Sequence, residues 1–159
     1  MLKGLLVSAL LVLTTTSAMA MDAFPKGPDA TLTPGELCMY PDSRRYPENI
    51  AYCERDVSRE TKAEAFEEYD QIGYRTRTMK RQNFKIDHYI PLCMGGSNSI
   101  KNLWPQHQSV YTITDPLEQK ICEKMAEGVM LQKDAVEMIK FGKANLDQVG
   151  DLMEKLENM

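Results

Sequence analysis

The chain has 159 residues, 19 basic and 23 acidic side chains and a formal net charge of -4. That length holds one domain with a modest core, not two. The acidic balance excludes a protein that coats nucleic acid through bulk charge, and no apolar run reaches the ~20 residues that a membrane helix needs.

Lys3, an apolar run at residues 5–13 and the Ala18-Met19-Ala20 ending read as a secretory signal peptide over residues 1–20. Its removal leaves 18 basic residues against 23 acidic ones. The destination is then the periplasm or the medium, where four cysteines point to two disulfides. Three connectivities are open. The preferred one joins Cys38 to Cys53, closing a loop worth ~3 kcal/mol in the chain-entropy picture, and Cys93 to Cys122. No CxxC pair is present, which argues against structural zinc.

Residues 21–33 hold Pro25, Gly27 and Pro28, with Pro34 just beyond, and predict an extended or mobile lead-in to a domain over 34–159. Turn formers between Cys38 and Cys53 predict a cross-linked loop with little regular structure. Ser58 suits the N-cap of a helix running to about residue 69, with Gly73 as its stop. Arg75, Arg77, Lys80, Arg81 and Lys85 then fall within eleven residues. Alone, such a run reads as a solvated loop, but it leads into the chemistry-bearing stretch and places positive charge where a phosphate backbone would approach. Beyond that stretch, Asp115-Pro116 predicts a helix start, with Leu117, Ile121 and Met125 on one face. Further helices are predicted over about 131–141 and from Asn145, so the part over 115–158 is helical and its apolar stripes are core.

Residues 84–107 concentrate the reactive side chains, including both histidines of the chain. The pattern there is strand, loop, strand, helix. Phosphodiester cleavage needs an activated water and neutralised phosphate charge, which one general base and one divalent cation can supply. His88 suits the base, because a neutral imidazole accepts a proton near pH 7. Asp87 suits the cation. Gly95-Gly96 lets a loop approach a substrate backbone, Asn102 can bridge loop backbone groups with its amide, and His107, early on a helix started by Pro105, can be a second metal ligand. Taken singly, each has a plainer reading: a structural Asp–His pair, a turn, a cap, a surface histidine and, for Trp104, a core residue.

Together, Ile86-Asp87-His88-Tyr89-Ile90-Pro91-Leu92, Gly95-Gly96-Ser97-Asn98 and Asn102-Leu103-Trp104-Pro105 resemble the HNH endonucleases. The likeness is close over about 84–107 and loose elsewhere, where the two cysteine-bearing segments are similar to small exported bacterial HNH-like proteins. It implies an α+β fold, with a ββα-metal unit over about 84–114 embedded in a mainly helical, disulfide-stapled single domain. It also implies metal-dependent hydrolysis of DNA, with RNA as a second substrate, by a monomer. Asp87 would bind one divalent ion (Mg2+, or else Mn2+ or Zn2+), His88 would be the base and Asn102 would fix the loop. One position departs from the pattern: the third motif residue, nine after Asn102, is Tyr111, a poor ligand for a hard cation. Either His107 replaces it, or the scaffold survives as an exported interaction or nucleic-acid-binding module that no longer cuts.

Overall fold

A computed structural model describes residues 22–159, so the signal-peptide reading lies outside the described residues. The architecture is α+β. A short antiparallel hairpin pairs β1 (Ser43–Arg45) with β2 (Ile50–Tyr52), and helix α1 (Arg59–Gln71) follows. A second antiparallel hairpin pairs β3 (Phe84–His88) with β4 (Leu103–His107). The chain then runs directly into α2 (Gln108–Ala126), followed by α3 (Gln132–Ala144) and α4 (Val149–Glu157).

The β3–β4 hairpin separates two apolar layers. Opposed residues of an antiparallel pair share a face and faces alternate along each strand. Phe84 pairs with His107, Ile86 with Pro105 and His88 with Leu103, so these six lie on one face, while Lys85, Asp87, Trp104 and Gln106 lie on the other. On the first face Phe84, Ile86 and Leu103 pack with Ala65 and Phe66 of α1. On the second, Trp104 packs with Val110 of α2, and Gln106 Nε2 donates to Thr114 Oγ1 at 2.8 Å. The largest cluster joins α2, α3 and α4 through Leu117, Ile121, Ala135, Ile139 and Leu156.

Ser58 caps α1 by accepting from the Thr61 amide, as the sequence predicts. Helix α2 departs from prediction: it starts at Gln108, eight residues before Pro116, because His107 supplies the cap through Nδ1. Pro116 is exposed on this helix, so the Thr112 carbonyl that loses its amide partner lies on the solvent side. Pro105 belongs to β4 and starts no helix. The cross-linked loop holds the β1–β2 hairpin. Residues 74–83 form two 3-10 turns.

The lead-in also differs from expectation. Thr33 is fully buried, donates to the Leu103 carbonyl at 3.0 Å and lies 2.9 Å from the Tyr69 hydroxyl. The Asp29 amide donates to that hydroxyl, the Arg75 amide donates to the Ala23 carbonyl, and Phe24 stacks on His107. These partners fix the segment where its proline content alone reads as extended chain. Disulfides Cys38–Cys53 and Cys93–Cys122 are both formed. No helix among the described residues is long and apolar enough to cross a membrane.

Candidate functional site

The loop between β3 and β4 is organised by one side chain. Asn102 is fully buried; its Oδ1 accepts from the Ile90 amide at 2.8 Å, and its Nδ2 donates to the carbonyls of Ile90 and Ser97 at 2.9 and 2.8 Å. Three bonds from one amide satisfy backbone groups that no strand partner reaches. Gly96 lies in the same place, and a Cβ there would collide with the Ile90 carbonyl. Gly95 adopts φ +83°, open to glycine at little cost, while Cys93 ties the loop to Cys122 of α2.

Asp87 and His88, adjacent at the end of β3, leave the strand on opposite faces. Asp87 turns toward α2 and α3, where Lys143 reaches it from the last turn of α3. The Lys143 ammonium is completely buried; it donates to Asp87 Oδ2 at 2.7 Å and to the His88 carbonyl at 2.6 Å, and lies 3.4 Å from Glu118 Oε2. The other Asp87 oxygen faces Lys85 Nζ at 3.4 Å, and that lysine also holds Asp115 at 2.7 and 2.9 Å. Burial opposes ionisation of Asp87, but Lys143 and Lys85 outweigh it and hold the carboxyl below its usual range. Burial opposes the charge on Lys143 too, and Asp87 and Glu118 overcome it, so the ammonium stays protonated. Glu118 is pushed the other way, upward, mainly by burial.

His88 faces the α1 side. Asn98 Oδ1 lies 3.1 Å from Nε2, while Arg55 Nη1 lies 3.3 Å from Nδ1. Arginine has no acceptor, so Nδ1 carries the lone pair. Asn98 donates its amide to the Glu54 carbonyl at 2.6 Å, which leaves its oxygen to accept from Nε2–H. Burial lowers the imidazole pKa to about 4, so the ring is neutral near pH 7. Neutrality suits a base, but both ring nitrogens are already hydrogen-bonded.

His107 occupies a third setting. It shares a face with His88 but sits at the far end of the hairpin, four residues beyond the partner of His88, or about 14 Å at ~3.4 Å per residue. Its ring stacks on Phe24 with centroids 4.1 Å apart, and Nδ1 accepts from the Ser109 amide at 3.2 Å. The predicted metal pair is therefore not assembled: Asp87 and His107 project from opposite faces, and strand alternation forbids one ion between them. Tyr111 presents its ring to a cation, with Lys85 Nζ 5.0 Å from the centroid. Among the described residues, no group of three or more His, Cys, Asp or Glu side chains is placed to hold a metal ion.

Of the five basic residues, Arg75, Arg77, Lys80 and Arg81 are exposed and Lys85 is half-buried. Arg77 pairs with Asp70 at 3.3 Å and Glu67 at 3.9 Å, Arg81 lies over the Phe66 ring and donates to the Phe84 carbonyl, and Lys85 is held by Asp115. Arg75 and Lys80 are exposed with no ion pair among the described residues. The open cleft beside Lys85, about 500 Å3, is lined by Asp115, Glu118, Glu123 and the Cys93–Cys122 bridge, so its wall is acidic.

Four residues that matter escaped the sequence reading. Asn98 lies inside the Gly-Gly-Ser-Asn segment and was available to it. Glu118 falls on α2 seven residues after Tyr111, two turns along one face, a signal visible only once α2 is known to begin at Gln108. Arg55 and Lys143 gave none, since a basic residue in a loop or at a helix C-terminus is ordinary. No family model matches the chain, and no curated protein or solved structure matches it.

Proposed function

We propose that this chain is an exported interaction module on an HNH-type ββα scaffold that binds without cleaving. The observation that carries this reading is the state of Asp87: both of its oxygens face lysine ammonium groups, and the second imidazole proposed to share its cation lies across the hairpin. The residues present do not fit a catalytic divalent ion, so no hydrolytic step is routed through one. The acidic cleft and the carboxylate partners of Arg77 and Lys85 weigh against a nucleic-acid backbone as the ligand, since affinity for it grows with the number of free Lys and Arg side chains that reach phosphates. Two disulfides and the absence of a membrane-crossing helix among the described residues suit a secreted protein.

A second reading, a metal-dependent endonuclease of DNA or RNA, is favoured by His88: a neutral imidazole whose lone pair is one hydrogen bond from an exposed guanidinium that could turn toward phosphate. One experiment separates the two. Purified mature protein is incubated with supercoiled plasmid and Mg2+, Mn2+ or Zn2+, beside His88→Ala and Asp87→Ala. The module gives no nicking above buffer and no duplex binding tighter than ordinary non-specific affinity, about 10⁻⁴–10⁻⁶ M. Cleavage by wild type that disappears in both variants would establish the nuclease.

A further inference from the structure

The strongest unexplained feature is a charged side chain with no exposure at all. Lysine is almost never fully buried unless paired, because removing an ammonium from water costs several kcal/mol. Lys143 is buried in a particular way: its three N–H donors meet three oxygens from two elements, Asp87 Oδ2 and the His88 carbonyl at the end of β3 and Glu118 Oε2 of α2. Two carboxylates and one carbonyl form an all-oxygen donor set, the kind that hard divalent cations take.

We propose that Lys143 is a tethered cation. Its ammonium fills the position between Asp87, Glu118 and the His88 carbonyl that a divalent ion would otherwise occupy, and the wild-type chain accepts no metal there. This rests on the non-cleaving reading and deepens it, because it says what replaced the metal. The site is one substitution away from binding a cation: shortening Lys143 leaves two carboxylates and a carbonyl around a space that a free divalent ion or a small alkylammonium can enter. Lys85 screens the outer side by holding Asp115 and the second Asp87 oxygen, so entry is from the acidic cleft that Lys85 and Glu118 line.

The test compares wild type, Lys143→Ala and the double variant Lys143→Ala/Glu118→Gln by thermal unfolding, each with and without millimolar Mn2+, Mg2+ or methylammonium. Wild type is expected to be indifferent to all three. Lys143→Ala is expected to melt lower and to regain at least about 5 °C with Mn2+, the size of shift that mass action gives at a ligand concentration well above Kd. The double variant is expected to lose most of that response. If Lys143→Ala is unfolded alone, cation-dependent folding is expected in place of the shift. A variant that stays unfolded or unshifted in every cation overturns the proposal, and so does a wild type that Mn2+ stabilises as much as the variant. Plasmid nicking in the same samples reports on the functional reading separately, since wild-type cleavage would sink that reading whatever Lys143→Ala does with metal.

Discussion

The two faces of the β3–β4 hairpin receive consecutive residues and treat them in opposite ways. On the α2 side Asp87 is kept ionised, because the buried Lys143 and the half-buried Lys85 outweigh its desolvation. On the α1 side His88 is kept neutral, because its burial, with the Arg55 charge beside it, outweighs the hydrogen bond to Asn98 and the charge of Asp87. Adjacency in sequence therefore produced separation in space, and a strand end that looks like one site is two. The α2 side is an internal ion-pair network closed by Lys143. The α1 side is a hydrogen-bonded ring under an exposed arginine.

The largest expected effect comes from breaking the α2 side. Lys143→Met removes the buried ammonium between Asp87 and Glu118 and leaves Asp87 with Lys85 alone, for a loss of about 3–5 kcal/mol in urea unfolding. The double change Asp87→Asn/Lys143→Met should cost clearly less than the single one. Equal or greater loss would mean that Lys143 contributes through packing and not charge.

Between the two sides stands the loop clamp. Asn102→Ala strips three hydrogen bonds from buried backbone groups and is expected to cost about 3 kcal/mol, with amide exchange accelerated at Ile90. Unchanged protection at Ile90 would show that water replaces the side chain.

The α1 side answers to pH. The His88 pKa is about 4 in the folded chain, against ~6.5 for a free imidazole, so below pH 6.5 the unfolded chain binds a proton that the folded chain refuses. Stability is full above that pH and falls as pH drops toward 4, by on the order of 3 kcal/mol, and then levels as far as His88 is concerned. Asp87 adds a further loss at lower pH, as pH falls through the ordinary carboxyl range, where the unfolded chain takes up a proton that the folded carboxyl refuses. His88→Gln should flatten the decline between pH 6.5 and 4; an unchanged slope would assign it to other groups. The smallest effect should follow Arg55→Ala: about 1 kcal/mol or less in stability, because the group is exposed, with a shifted His88 titration by NMR as the clearer readout.

Much of this hairpin is legible in the sequence. Gly95, Gly96 and Asn102 mark a loop whose backbone must be approached closely and tied by an amide, and both cysteine pairs lie where the preferred connectivity puts them. The boundary of α2 is not legible, because Asp115-Pro116 is a strong local start signal while the true cap, His107, also ends a strand. His107 reads as a ligand only if Pro105 starts its helix; instead both residues belong to β4, and strand alternation and the Phe24 stack decide where the ring goes. Lys143 lies 56 residues from Asp87 in sequence, and no local pattern says that a lysine ending one helix fills the space beside another element's carboxylate.

The most direct measurement is Mn2+ titration of the wild-type protein followed by paramagnetic broadening of backbone amides. Lys143 between Asp87 and Glu118 predicts no selective broadening at Asp87, His88 or Glu118 at metal concentrations that leave the rest of the spectrum intact. Selective loss of those three signals at low Mn2+ would place an ion beside Asp87 and contradict a lysine-filled site.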